Sequence, residues 1–274
     1  MSTFFNWNGF EVDESLTFPD GQPHVKLKSI QGTIYCRLAE PVDLVRLMFL
    51  RDLAPDAPNL YISYLMAARM DRAIDGGPFS LRCVTNLINS MGFERVRVFC
   101  PHSPVSLELL NNSDADEMKE ATFYDRAILR FLGEGEEART SDEFSIVSPD
   151  KGAAARMQGS LFGKWYKNAP RVVLDKVRNV STGRITGLEH CEGEVRPTCI
   201  ILDDLCDGGA TFCAAADVLR SKGAEHVHLA VCHGIFSKGT PIMGIDSIAT
   251  TNSFRGRLSG PGLKVFPMFQ GTEQ

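Results

Sequence analysis

The sequence predicts an α/β protein built as two tandem lobes, each a mostly parallel sheet flanked by helices. Three observations lead there. Short apolar runs of strand length alternate with segments of helical period along the chain, the pattern of strand–helix–strand units. A polar, glycine-containing stretch, GEGEEARTSDE (residues 133–143), interrupts the alternation near its middle and reads as a connector. The length, 274 residues, suits one large domain or two medium lobes, with enough chain for a sizeable core. The connector favours two, residues 1–135 and 136–274.

The elements come in this order. NLYISYLM (59–66) is strand-like. FSLRCVTNLINSMG (79–92) is helical: Leu81, Val84, Leu87, Ile88 and Met91 share a face, Ser80 is placed to cap its start and Gly92 to end it. RVRVFC (95–100) alternates as a strand. DRAILRFL (125–132) fits a strand or a short helix, and periodicity does not separate the two. Beyond the connector, FSIVSPD (144–150) reads as a strand ending in Asp150, and GAAARMQGSLFGKW (152–165) as helix. RVVLDKVRN (171–179) is a strand running into a basic cluster, and VSTGRITGLEHCEGEVR (180–196) a loop or hairpin. CIILDD (199–204) is a strand, followed by a helix over about 211–222 with Gly223 at its end, then the strand HVHLAVCH (226–233). GLKVFPMFQGTEQ (262–274) adds a last strand and a frayed end.

Composition narrows the function classes. Hydrophobic residues make up 43% and charged residues 23%, as in soluble globular proteins. The net charge of -5 argues against a general binder of nucleic acid or membrane surfaces. No run approaches the ~18 apolar residues of a membrane span, and MSTFFNWNGFEVDE has no basic region before an apolar stretch, so no signal peptide is expected. The cysteines, Cys36, Cys83, Cys100, Cys191, Cys199, Cys206, Cys213 and Cys232, form no CxxC pair and hence no zinc-site spacing. Several sit in apolar runs, where a thiol acts as a small hydrophobe, and reduced thiols in a cytoplasm are expected.

The chemistry concentrates in CIILDDLCDGGATFCAAADVLR (199–220). A strand, an acidic loop, glycines and a helix start form a concave site at the carboxyl end of a parallel strand, where open α/β sheets put ligands. Gly208 and Gly209 allow unusual backbone angles and close approach of a ligand. The loop N–H groups, the helix N-terminus and the Thr211 hydroxyl suit a phosphate. Asp203 and Asp204 suit sugar hydroxyls or Mg²⁺. On the residues alone two readings stay open: a sugar-phosphate site, or acids that cap a loop which the glycines merely turn.

The stretch ILDDLCDGGATF resembles the phosphoribosyl pyrophosphate (PRPP) motif shared by type I phosphoribosyltransferases and ribose-phosphate pyrophosphokinases (PRPP synthetases). Five further stretches, in the same order, resemble the second group. FPDGQ, with Phe18, Asp20 and Gln22, resembles the segment that contacts adenine across a subunit boundary. SYLMAARMDRA resembles the ATP-binding strand and loop, giving Arg69, Met70 in place of a glutamine, Asp71 and Arg72. VFCPHS resembles the strand that ends in a metal-site histidine which also serves ATP, here His102. VSPDKGAAAR resembles the segment whose aspartate, here Asp150, serves metal and ribose, and LDKVRN the catalytic Lys-x-Arg segment, here Lys176 and Arg178.

The resemblance implies two tandem type I phosphoribosyltransferase-like lobes, the first (1–135) binding ATP and the second (136–274) catalytic. It implies ATP-dependent diphosphoryl transfer to the anomeric hydroxyl of ribose 5-phosphate, with Mg²⁺ and a homo-oligomer of at least two chains. Lys176 and Arg178 would clamp the transferring group, Asp203 and Asp204 orient the ribose, and Asp207, Gly208, Gly209, Ala210 and Thr211 cradle its 5-phosphate. The loop 181–194 would close over the site. Three departures stand out: Cys100 where the family has an acid, Gly208 where threonine is common, and Ala210 in place of glycine. A thiol is a poor Mg²⁺ ligand. The short chain resembles a compact, phage-associated branch, which would place it in a host cytoplasm and admits ADP-ribose as acceptor for NAD rebuilding. A non-catalytic regulatory subunit is a third reading, against which Lys176 and Arg178 speak. An ordinary phosphoribosyltransferase would leave the ATP-like segments without a purpose.

Overall fold

The structure is a computed structural model, and it describes residues 4–5, 13–27, 32–133, 143–178, 185–256 and 258–268. The chain divides into two compact units: Met1–Asp116 with Asn252–Arg257 and Pro267–Gln274, and Glu117–Thr251 with Leu258–Phe266. Each carries its own parallel sheet flanked by helices.

In the first unit, β1 (Phe4–Phe5), β4 (Thr33–Leu38), β5 (Asn59–Leu65), β6 (Arg95–Val98) and β7 (Ser113–Ala115) form a sheet in the order β1-β4-β5-β6-β7. All but β1 run parallel. A separate hairpin joins β2 (Asp13–Thr17) to β3 (Pro23–Leu27). The helices are α1 (Pro41–Leu53), α2 (Ser80–Ser90) and α3 (Val105–Leu109). Ile34, Leu38, Leu47, Leu50, Leu60, Ile62, Leu81 and Ile88 make the core. Helix α1 opens on a capping box, in which the Asp43 carboxylate accepts from the Ala39 and Glu40 N–H groups. Ser80 is the first residue of α2 and not its cap: Phe79 holds that position, and the Leu81 N–H donates to the carbonyl of Met70. The turn before the helix thus satisfies an end group that the serine was expected to satisfy. Gly92, at φ 67, ends the helix as expected.

In the second unit α4 (Glu117–Leu132), α5 (Lys151–Gly159), α6 (Leu161–Trp165) and α7 (Ala210–Ser221) surround a seven-stranded sheet. Its strands are β8 (Phe144–Ser148), β9 (Arg171–Arg178), β10 (Ile185–Glu192), β11 (Thr198–Cys206), β12 (His226–Gly234), β13 (Ser247–Thr251) and β14 (Leu263–Phe266). Their order is β10-β9-β8-β11-β12-β13-β14, and all but β10 run parallel. Val147, Leu174, Ile201, Phe212, Leu219, Leu229, Val231 and Ile248 make its core.

DRAILRFL resolves as helix, the last half of α4. Ala121, Phe123, Tyr124, Ala127 and Ile128 are buried, and the Tyr166 hydroxyl of the α6 end donates to Asp125 Oδ1 at 2.9 Å. Burial of that aromatic and acidic face assigns α4 to the second unit, so the division falls after Asp116 rather than after residue 135. The connector 133–143 lies almost wholly outside the described residues, as do 179–184 at the start of the 181–194 loop. Most of the remainder of that loop is strand β10, antiparallel to β9. The tail 269–274 is also outside the described residues. No described helix is long and apolar enough to cross a membrane.

Candidate active site

The second sheet reverses direction between β8 and β11. From β8 the chain moves outward to β9 and β10, then returns to β11 on the other side and continues to β14. A crevice opens at such a switch point, beyond the carboxyl ends of the two strands. Asp150 comes just after β8, and Asp203 and Asp204 lie near the end of β11.

Strand β11 is buried between β8 and β12 through Leu202. Asp204 is 3% exposed, so its charge must be met inside the protein. Arg156 of α5 meets it: Nη2 donates to Asp203 Oδ1 at 2.6 Å and to Asp204 Oδ1 at 2.8 Å. The Asp204 N–H donates to Asp203 Oδ1, and the Tyr124 hydroxyl to the Asp203 carbonyl at 2.8 Å. Burial pushes the Asp203 carboxyl well above the usual carboxylate range. The adjacent Asp204 charge pushes the same way, and the Arg156 guanidinium pulls it down. The Cys206 thiol below the loop is pushed up to about 12, by burial first and then by the charges of Asp203 and Asp207.

After Cys206 the loop turns through Asp207, Gly208 and Gly209 into α7. Gly209 has φ 80 and serves as the N-cap residue; a Cβ there would stand 3.2 Å from Ile242 Cγ1. A left-handed backbone angle in a tight space is why glycine is needed here. Its carbonyl accepts from the Phe212 and Cys213 N–H groups. Ala210 and Thr211 are exposed in the first turn of α7. Asp207 Oδ1 accepts from the Ser237 hydroxyl at 2.6 Å. Residues 207–211 thus form a compact turn that opens a twelve-residue helix.

Asp150 caps α5, its Oδ1 accepting from the Ala153 N–H at 2.8 Å. Lys151 pairs with Asp175 of β9. Lys176 and Arg178 lie on β9, in register with Leu188 and Ile185 of β10. The last β9 residue paired with β8 is Val173, so Lys176 stands about 10 Å further along the strand, beyond the end of β8. The side chains of Lys176 and Arg178 lie outside the description.

In the first unit, Phe18, Asp20 and Gln22 form the turn of the β2–β3 hairpin. Gly21 has φ 88, its N–H donates to the Phe18 carbonyl, and the Gln22 N–H donates to Asp20 Oδ1. Phe18 is 45% exposed at the tip. Arg69, Met70, Asp71 and Arg72 come after β5 in a turn closed by the Met70 N–H on the Ala67 carbonyl. Arg69, Met70 and Arg72 are exposed and Asp71 is half-buried. His102, half-buried, comes after the neighbouring strand β6, and Cys100 is buried there at φ 44. Asp71 and His102 therefore share the carboxyl end of one parallel sheet, while the hairpin turn belongs to a separate ribbon tied to α1 through Arg46 and Thr17.

A resident metal cage would need several ligands together. Among the described residues no group of three or more His, Cys, Asp or Glu side chains could hold a metal. Mg²⁺ in phosphoryl chemistry takes one or two carboxylates and relies on substrate oxygens and water. Single donors such as Asp150 and His102 fit an ion that arrives with a nucleotide.

Sequence reasoning missed Arg156, Tyr124 and Ser237. Arg156 closes the stretch VSPDKGAAAR, and a cation at the end of an alanine run, in the helix after an acid-ending strand, is a signal. The others offer none in sequence.

A sheet with paired acids and a glycine-opened helix at its switch point defines the second unit as a type I phosphoribosyltransferase fold. Comparison with known proteins sharpens this. The ribose-phosphate pyrophosphokinase of Mycoplasmopsis pulmonis is 30% identical over 200 residues, 71% of this chain and 59% of the relative. That of Prochlorococcus marinus is 29% identical over 234 residues, 81% of this chain and 68% of the relative. That of Thermococcus kodakarensis is 26% identical over 251 residues, 86% and 83%. The chain thus spans about three fifths of the length of the first of these relatives and more of the other two. The crystal structure of phosphoribosylpyrophosphate synthetase from Mycobacterium smegmatis matches the fold with TM-score 0.72 at 19% identity, over 93% of this chain and 86% of that one. No protein-family model matches. In sequence the chain is a relative of the ribose-phosphate pyrophosphokinases, and in fold it is similar to a phosphoribosylpyrophosphate synthetase.

Proposed function

We propose that the protein transfers a diphosphoryl group from ATP to the anomeric hydroxyl of ribose 5-phosphate, giving PRPP and AMP. The observation that carries this reading is the β11–α7 turn. It sets paired acids beside a glycine-opened helix start, which suits the hydroxyls of a sugar at one end and its phosphate at the other. The naming of the relatives supports the same chemistry.

In this reading Asp203 and Asp204 accept from the ribose hydroxyls, and the backbone N–H groups of 207–211 hold the 5-phosphate. Lys176 and Arg178 stabilise the charge that spreads over the transferring oxygens, where positioning and cations do most of the work. Arg69, Asp71, Arg72 and His102 serve ATP, with Met70 beside them. The Phe18–Asp20–Gln22 turn serves the nucleotide of a neighbouring copy in a homo-oligomer. Mg²⁺, brought with ATP, would neutralise phosphoryl charge, with His102 as the candidate donor of the first unit and Asp150 as that of the second.

The test is incubation with Mg-ATP and either ribose 5-phosphate or ADP-ribose, following AMP and the pyrophosphorylated product. AMP and PRPP in equal amounts with ribose 5-phosphate are expected. Product with ADP-ribose alone would keep the chemistry and change the acceptor, and AMP with neither acceptor from folded protein would refute catalysis. Lys176→Ala should lower turnover by about 10³-fold or more with folding intact.

A further inference from the structure

The connection from β12 to β13 lies over the glycine loop, and the reading of the site from its strand ends and helix start leaves it without a role. We infer that Lys238, on this connection, is a substrate-binding residue that recognises the 5-phosphate end of the acceptor. The inference rests on the reading of 207–211 as a sugar-phosphate loop.

The first observation is contact. A Cβ at Gly208 would stand 3.4, 3.5 and 3.6 Å from Cδ, Cε and Cγ of Lys238. The lysine stem therefore lies beside Gly208, at van der Waals distance from where a Cβ would stand. Nζ is one bond, about 1.5 Å, beyond Cε, so the ammonium lies within about 5 Å of that point, against the loop. A branched side chain at 208 would compete with the stem for the same space, and the glycine leaves it to the lysine.

The second observation is that the backbone holds Lys238 there. The Ile235 and Phe236 N–H groups both donate to the Cys206 carbonyl, at 2.9 and 3.2 Å. The Gly239 N–H donates to the Phe236 carbonyl, closing a turn around Ser237 and Lys238. The Ser237 hydroxyl is bound to Asp207. Gly234 locks the approach, since a Cβ there would come within 2.3 Å of the Phe236 ring. The segment is thus pinned to the end of the strand that carries the loop.

The third observation is charge. A phosphate monoester carries close to two negative charges at neutral pH. Asp203, Asp204 and Asp207 stand in or next to the loop, and Arg156 is committed to the first two. A helix N-terminus offers only about half a positive charge. Lys238 is exposed, and no carboxylate among the described residues pairs with it. A lysine is a compact charge with three donors, suited to phosphate oxygens.

The test compares wild type, Lys238→Met and Lys238→Arg by calorimetric titration with ribose 5-phosphate and by steady-state kinetics. Lys238→Met should weaken ribose 5-phosphate binding and raise its KM about tenfold or more. The KM for ATP and kcat should stay within about twofold, and the arginine should restore most of the loss. The preference for ribose 5-phosphate over unphosphorylated ribose should shrink by the same factor. Unchanged ribose 5-phosphate binding in Lys238→Met, an equal loss with ribose, or an equal rise in the KM for ATP would each overturn the assignment. Wild type that binds ribose 5-phosphate through Lys238 but releases no AMP would sink the catalytic reading and leave this one standing. Wild type that does not bind ribose 5-phosphate would overturn the role of Lys238 itself.

Discussion

Replacing Arg156 with methionine should destabilise the second unit in a pH-dependent way. The guanidinium bridges Asp203 and Asp204 at 2.6 and 2.8 Å, with side-chain exposures of 26%, 17% and 4% for the arginine and the two acids. Burial and repulsion raise the Asp203 carboxyl, so the pair holds about one negative charge near neutral pH. One charge about 4 Å from the guanidinium, at an effective dielectric constant of about 20, is worth about 4 kcal/mol. Relief from desolvating the guanidinium offsets part of this, and the residual exposure of Arg156 and Asp203 screens a little more. The net loss is about 2–3 kcal/mol, a fall in Tm of about 5–10 °C. Methionine keeps the stem volume, so packing changes little. Without Arg156 the Asp203 carboxyl rises further above its value of about 8. A folded-state carboxyl raised above its unfolded value contributes stability that is present below about pH 4 and lost as pH climbs through the raised value. Below about pH 8 Asp203 is protonated in the fold of both proteins, and its share of the deficit is flat; above it wild type deprotonates and the variant does not, so the deficit should be larger at about pH 9 than at about pH 6. Urea unfolding at both pH values measures it. An equal deficit at both, or none at about pH 9, would refute the idea that Arg156 holds the acid pair by charge.

Two more substitutions probe the same loop. Asp203→Asn removes a group whose raised carboxyl makes folding less favourable with rising pH; urea unfolding of the variant between pH 5 and 8 should show a flatter profile than wild type, and parallel profiles would contradict it. Gly209→Ala meets both φ 80 and Ile242, so thermal unfolding should show a loss of about 1–2 kcal/mol and kinetics a raised KM for the phosphorylated acceptor, with a silent substitution as the contrary result.

The legibility of these features tracks the range of the interactions behind them. Strand β11 and helix α7 were readable because an apolar run, acids, glycines and a helical period lie within twenty-odd consecutive residues. Asp203, Asp204 and Gly209 acquire much of their character from that local order. Helix α4 was ambiguous because the eight residues read from it are only half of Glu117–Leu132, too few for a period to declare itself. Its place in the second unit depends on Tyr124 and Asp125 finding partners in distant segments, at Asp203 and Tyr166. The Ser80 cap failed for a related reason, since a carbonyl from the turn before the helix took the N–H in its first turn. The bridge from Arg156 spans 47 residues in sequence to Asp203, and no spacing rule reaches that far.

The buried thiol at Cys206 has a consequence for chemical labelling. Held at about 12, it presents roughly one thiolate in 10⁵ at pH 7. Cys199, pushed up to about 11, is nearly as inert, and Cys36 is raised as well. Electrophiles and peroxides act on the thiolate, so the strand that carries the acid pair is shielded from covalent damage although two cysteines sit within it. A cysteine-directed probe would mark exposed Cys83, on the outside of α2, well before it touched either thiol in β11.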